Sequence, residues 1–168
     1  MICDTLRRHI IRAENQMMRF ASWLLVASVM AATQAGANPS RPSKKLDAQT
    51  ALLIVDVQQF YFPGGALPLT NALRASRHAQ KILQKFRAEK RLVVHVGHKA
   101  AKGAEFHPAV KPHQGEKIIM KTEVSAFNGT DLLAYLKQKG IVRLVIIGMQ
   151  THMCVEGAVR AAHDLGFT

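Results

Sequence analysis

Residues 141–168 read IVRLVIIGMQTHMCVEGAVRAAHDLGFT, and this stretch decides the fold. Ile141–Gly148 is an apolar run that ends in glycine, which is typical of a strand buried within a parallel sheet. Thr151 begins a predicted helix that closes at Gly166 and carries apolar side chains on one face: Val155, Ala158, Val159 and Ala162. A buried strand followed at once by an amphipathic helix indicates a βα unit.

The same alternation is repeated upstream along the chain. Gly- and Pro-rich or polar stretches, Phe60–Pro68 and Gly97–Glu116, predict loops between the elements. The predicted elements are strands at Ala51–Val57, Arg91–Val96 and Lys117–Lys121, and helices at Asn71–Lys90 and Asp131–Lys139, the second capped by Thr130 and closed by Gly140. We therefore predict an α/β fold, a three-layer doubly wound parallel sheet with helices on both faces.

The N-terminal region differs from the rest of the chain. Phe20–Ala32 is a mostly apolar run preceded by Arg19, and Ala35–Ala37 supplies the small-x-small pattern of a signal-peptidase site. The run is shorter than the roughly 20 residues that a spanning helix needs. We expect a periplasmic or secreted protein with no stable membrane anchor; an uncleaved N-terminal anchor is the alternative. The expected layout is a signal peptide over residues 1–37, with Met17 or Met18 as alternative starts, a linker over 38–49 and one domain over 50–168.

Charge and cysteine content narrow the function classes. The net charge is +12, from 23 Lys and Arg against 11 Asp and Glu, but the basic residues are scattered and no nucleic-acid-binding signature is present. We expect no nucleic-acid partner, with a basic surface-binding protein as a rival interpretation. Of the two cysteines, Cys3 falls within the predicted signal peptide, so Cys154 would be the single thiol of the mature chain.

Three residues with reactive side chains stand where predicted strands end. Asp56 closes the first strand, Lys121 the third, and Cys154 follows the fourth. Ligands bind beyond the carboxyl ends of parallel strands, so we expect these side chains to meet in one crevice. Lys121 would then compensate the buried carboxylate, and the ammonium and the helix N-terminus would lower the pKa of the Cys154 thiol. Taken singly, a loop cap, a solvated lysine and a core cysteine are the alternative interpretations.

Three blocks of sequence resemble the isochorismatase-like cysteine hydrolases, a family that includes the nicotinamidases. In order, they are ALLIVDVQQFYFPGGALPL around Asp56, MKTEVSAFNGTDL after Lys121 and VIIGMQTHMCVEGAVRAAHDLGF around Cys154. The resemblance implies a Rossmann-like, isochorismatase-like sheet. It also implies a catalytic triad of Asp56, Lys121 and Cys154, and a cis peptide between Met149 and Gln150. The N–H groups of Gln150 and Cys154 would form an oxyanion hole, and Phe60 and Phe127 would line the substrate pocket.

The activity implied by this resemblance is hydrolysis of a small-molecule amide through a thioester, with no cofactor and with homo-oligomers possible. Two alternatives stay open: an isochorismatase-type vinyl ether hydrolase, and an inactive, truncated binding or scaffold protein. Nicotinamidases hold a metal with an Asp-x-His pair that is missing here, so no metal is expected; a zinc site is the alternative, built from His95, His98, His107 and His113. The family continues with further strands after the Cys helix, so we expect the C-terminal strands to be missing.

Overall fold

A computed structural model describes residues 46–168. The predicted signal peptide, its alternative starts at Met17 and Met18, and the linker as far as residue 45 lie outside the described residues. Within residues 46–168, none of the helices is long and apolar enough to cross a membrane.

The described residues form a parallel sheet of four strands with three α-helices. The strands are β1 (Thr50–Val55), β2 (Val93–His98), β3 (Lys117–Lys121) and β4 (Arg143–Gly148), and the helices are α1 (Ala72–Ala88), α2 (Leu132–Gln138) and α3 (Glu156–Asp164). The strand order is β3-β2-β1-β4, and every pairing is parallel. Because β1 lies inside the sheet and the chain winds outward from it in both directions, the doubly wound prediction is confirmed.

Two apolar clusters cover the two faces of the sheet and make the three layers. Leu52 and Ile54 of β1 belong to the cluster that contains Leu83 and Phe86 of α1. The alternate β1 side chains belong to the other cluster, together with α2 and α3: Ala51, Leu53 and Val55 with Leu132, Leu136, Ala158 and Ala162. All six residues of β1 are buried, as expected for a central strand with both faces covered.

The element boundaries differ from the sequence prediction at two functionally relevant places. β1 ends at Val55 rather than Val57, because Asp56 adopts a left-handed backbone with φ of 52°. The predicted helix from Thr151 is regular only from Glu156, since residues Thr151–Val155 form a turn of π-helix in which the N–H of Val155 donates to the carbonyl of Gln150 at 3.2 Å. Such π-turns are frequent at functional sites.

A partly buried polar network fixes the long loop between β2 and β3. Arg87 of α1 donates two hydrogen bonds to Glu116, each 2.7 Å long, and His95 Nε2 lies 2.8 Å from the same carboxylate. Burial alone would raise the pKa of Glu116, but the hydrogen bonds from Arg87, the His113 N–H and His95 lower it to about 2. Burial lowers the pKa of His95, so its neutral ring donates from Nε2. The loop is thereby tied to α1 and β2.

Candidate active site

Asp56, Lys121 and Cys154 meet at the carboxyl edge of the sheet. Lys121 Nζ lies 2.8 Å from Asp56 Oδ2 and 3.3 Å from Cys154 Sγ. The side chains of Asp56 and Lys121 have no exposed surface, and Cys154 is 6% exposed. Asp56 directly follows β1, Lys121 ends β3 and Cys154 lies in the turn after β4, so the sheet brings together positions that are up to 98 residues apart in the chain (154 − 56 = 98).

Close contact between β1 and β4 sets the position of Asp56. Gly148 has a φ of 150°, and a Cβ at this position would lie 1.9 Å from the carbonyl oxygen of Val55. The N–H of Met149 donates to that same oxygen at 2.9 Å, while the N–H of Asp56 donates to Val96 on β2 at 2.9 Å. Aspartate tolerates left-handed backbone better than most residues, and this conformation ends β1 abruptly at the site.

The Asp56 carboxylate is held by charge rather than by directed hydrogen bonds. Neither Asp56 oxygen has a hydrogen-bond donor of good geometry among the described residues, although Oδ2 lies in ion-pair contact with Lys121 Nζ. A buried carboxylate that lacks donors retains free lone pairs. Asp56 can therefore accept a proton from a group beside it.

The pKa of the Cys154 thiol differs from the value expected from the sequence. We expected the helix N-terminus and the Lys121 ammonium to lower its pKa, and this prediction is wrong. Burial raises the pKa of the Cys154 thiol, and the Asp56 carboxylate raises it further, which together outweigh the lowering by Lys121. The sulfur is therefore a protonated thiol at rest, in the neighbourhood of the carboxylate that can take its proton.

The turn between β4 and Cys154 contains the backbone feature implied by the resemblance. The peptide bond between Met149 and Gln150 is cis. The N–H of Gln150 donates no hydrogen bond to any backbone carbonyl between residues 46 and 168. The role of the Gln150 and Cys154 N–H groups as an oxyanion hole stays a prediction.

Phe60 and Phe127 both pack into the body of the fold. The Phe60 ring lies 4.3 Å from the ring of Tyr61, edge to face, and Phe60 lines a cavity of about 470 Å³ beside Lys102 and Gly103. Phe127 is half-buried and stacks on Phe167, with ring centroids 6.0 Å apart. Their contact with substrate stays a prediction.

Comparison with a family model identifies the family of this chain. The isochorismatase domain model matches residues 50–168, which is the whole predicted domain and most of the chain. The chain belongs to the isochorismatase family. Its α/β fold and its class, a hydrolase, are those of this family.

Relatives of this isochorismatase-family hydrolase are similar in sequence and in structure. The isochorismatase family protein YddQ of Bacillus subtilis is 37% identical over 129 residues, which is 70% of this chain and 72% of YddQ. The crystal structure of an isochorismatase hydrolase from Oleispira antarctica has a TM-score of 0.68 and 36% identity, over 73% of this chain and 72% of that one. The crystal structure of N-carbamoylsarcosine amidase from Thermoplasma acidophilum has a TM-score of 0.67 and 25% identity, over 70% of this chain and 78% of the amidase.

Sequence reasoning missed Gln58 and Tyr61 and considered His98 only as an alternative zinc ligand. Gln58 is fully buried, and its amide bonds both the N–H and the carbonyl of His98, at 2.7 and 3.0 Å. His98 ends β2, and its Nδ1 lies 3.2 Å from Lys121 Nζ. Burial raises the pKa of the Tyr61 hydroxyl to about 12, and negative charge on Cys154 or Asp56 adds to the effect. The rule that strand ends carry the site could have found His98.

The four histidines considered as zinc ligands do not converge. His98 contacts Lys121, His95 contacts Glu116, and the ring of His107 stacks on Phe62 at 3.8 Å. The part of the chain that the structure describes holds no group of three or more His, Cys, Asp or Glu side chains that could bind a metal ion.

An open cavity of about 740 Å³ lies beside the turn Thr151–Val155 of this isochorismatase-family chain. Thr151, His152 and Val155, all in the same turn as Cys154, line it together with residues of α3, whereas Cys154 itself does not. Because Cys154 is only 6% exposed, its thiol is screened from bulk water, which strengthens electrostatic interactions around it.

Proposed function

We propose that this protein hydrolyses the C–N bond of a small-molecule amide by covalent catalysis, with Cys154 as the nucleophile. The observation that carries the proposal is the buried contact of Lys121 with both Asp56 and Cys154, at 2.8 and 3.3 Å. A thiol, a carboxylate and an ammonium in mutual contact have the parts needed to make a thiolate and to hold its charge.

The proton of the Cys154 thiol passes to Asp56 in the first step. Burial and the neighbouring carboxylate keep the pKa of the thiol high, so the proton leaves the sulfur only when attack on substrate begins. The Asp56–Lys121–Cys154 group carries the same total charge before and after the transfer. Because the ammonium contacts both Asp56 and Cys154, it stabilises the negative charge on either atom.

The thiolate then attacks the carbonyl carbon of the amide. In our proposal the N–H groups of Gln150 and Cys154 bind the oxyanion of the tetrahedral intermediate. When the intermediate collapses, the C–N bond breaks and the leaving nitrogen takes the proton from Asp56. A thioester on Cys154 remains. Asp56 accepts a proton from water as that water attacks the thioester, and the proton returns to sulfur as the acid product leaves.

We favour an amide over a vinyl ether because a thiol and a carboxylate both lie against the Lys121 ammonium, where they could serve as nucleophile and base. Hydrolysis of an amide needs both a nucleophile for the carbonyl carbon and a proton for the leaving amine, and Cys154 and Asp56 can supply them. N-carbamoylsarcosine amidase, one of the structural relatives, is an amidase by name.

The test is a screen for ammonia or amine release from nicotinamide, carbamoyl compounds and ureido compounds. We expect hydrolysis of at least one class by the wild type, and its loss in Cys154→Ala. Met153→Ala is the matched control, because Met153 lies in the same turn but is 44% exposed. Hydrolysis that persists in Cys154→Ala rules out covalent catalysis, and activity on vinyl ethers alone favours the isochorismatase-type reaction. A wild type that is inactive on every class, with an unreactive thiol, favours a scaffold.

A further inference from the structure

The ammonium of Lys121 has more neighbours than it has protons. Its Nζ lies 2.8 Å from Asp56 Oδ2, 3.0 Å from the carbonyl oxygen of Glu123, 3.2 Å from His98 Nδ1 and 3.3 Å from Cys154 Sγ. An ammonium donates three hydrogen bonds. At most three of the four neighbours can therefore accept a hydrogen bond from Lys121 at one time.

The four neighbours form two pairs with different chemistry. The Glu123 carbonyl and the His98 Nδ1, which faces an ammonium that can only donate, are acceptors that stay the same throughout the proton transfer. In the proposed reaction the negative charge moves between Asp56 and Cys154. Only the residue that carries the charge at that moment forms a strong hydrogen bond with the third N–H. Two fixed acceptors hold the ammonium while its remaining N–H follows the charge.

We propose that His98 is a positioning residue, which orients the Lys121 ammonium so that one N–H alternates between Asp56 and Cys154. This inference rests on the proposed function. For Nδ1 to accept from Lys121, the ring proton resides on Nε2. The imidazole then acts on the reacting sulfur only through Lys121.

The surroundings of His98 make its side chain separable from the fold. Gln58 bonds both backbone groups of His98, so the end of β2 is held independently of the imidazole. The side chain itself is only half-buried. A substitution at His98 therefore removes the contact with Lys121 and leaves the strand in place.

The experiment measures how the rate of Cys154 alkylation by iodoacetamide depends on pH. Asp56 and Lys121 are the ionisable groups that act on the pKa of the thiol, and Lys121 is the one that lowers it; the charge of the thiol in turn raises the pKa of Tyr61. In His98→Leu we expect the midpoint of the alkylation profile to move to higher pH. In His98→Asn, whose amide oxygen takes the place of Nδ1, the wild-type midpoint is retained.

Steady-state kinetics give a second readout on any amide that the wild type hydrolyses. We expect kcat to fall about 10- to 100-fold in His98→Leu, the effect of losing one hydrogen bond to a charged group, with KM nearly unchanged. His98→Asn recovers most of this loss. His78→Leu, at an exposed histidine of α1, is the control and leaves both readouts unchanged.

Two results overturn the inference: a wild-type alkylation midpoint in a folded His98→Leu, or a His98→Asn variant that is shifted as far as His98→Leu. Far-UV circular dichroism establishes that each variant is folded, and His98→Asn decides the question if His98→Leu is not. The alkylation profile needs no substrate. Failure of the proposed function, seen as hydrolysis by Cys154→Ala, is therefore distinguishable from failure of the role of His98.

Discussion

Substitution of Gly148 by alanine tests how the contact between β1 and β4 builds the site. The new Cβ would lie 1.9 Å from the Val55 carbonyl oxygen, whereas real Cβ atoms keep at least 3.0 Å, so the strands must separate by at least 1.1 Å (3.0 − 1.9). That shift breaks the 2.9 Å hydrogen bond from the Met149 N–H to the same oxygen. Left-handed strain of about 1–2 kcal/mol, the lost bond of about 1 and overpacking of about 1–3 sum to about 3–6 kcal/mol.

The assay is urea denaturation followed by far-UV circular dichroism, with amide hydrolysis measured in parallel. Gly140→Ala is the matched control, because Gly140 also has a positive φ, of 65°, but a Cβ added there would meet nothing within 4 Å. We expect Gly140→Ala to cost only the strain, about 1–2 kcal/mol, and to retain activity. Because Asp56 follows Val55 directly, Gly148→Ala loses activity as well. Equal losses of unfolding free energy in the two variants would refute the steric argument.

Three further predictions concern single side chains. In Asp56→Asn the pKa of the Cys154 thiol falls, because the carboxylate that raises it is gone, and pH profiles of alkylation measure this fall. Hydrolysis drops about 10²- to 10⁴-fold because the base is missing, and kcat measures this loss. Gln58→Leu leaves the buried His98 N–H without its acceptor and lowers the unfolding free energy by about 2–4 kcal/mol, which urea denaturation measures. The pKa of Glu116 is depressed from 4.5 to about 2, so its stabilisation is complete above about pH 4.5 and is lost as the pH falls toward 2; acid denaturation of Glu116→Gln lacks this loss.

The layers of the fold could be predicted from the sequence because buried strands have a recognisable pattern of apolar residues. Continuous apolar runs such as Ala51–Val55 occur where both faces of a strand are covered, and such runs predict a parallel sheet from the sequence alone. The end of β1 was misplaced by two residues. Val57 is apolar and buried, so its pattern continues the strand, but the left-handed turn at Asp56 interrupts the ladder.

The positions of the candidate triad could be predicted, whereas its electrostatics could not. Asp56, Lys121 and Cys154 were found because each follows or ends a strand at one edge of the sheet. The sign of the Cys154 pKa shift depends on how deeply the sulfur is buried and on whether carboxylate or ammonium acts more strongly on it. Those quantities are set by side-chain packing, which spacing along the chain does not encode. His98 was considered only as a metal ligand for the same reason.

The most direct test of the account is the intact mass of the enzyme quenched in acid during turnover of an amide that it hydrolyses. The account predicts a covalent adduct with the mass of the acyl group, located on Cys154, released by hydroxylamine as expected for a thioester and absent from Cys154→Ala. Turnover by Cys154→Ala at the wild-type rate, or an acyl adduct located on another side chain, would contradict it.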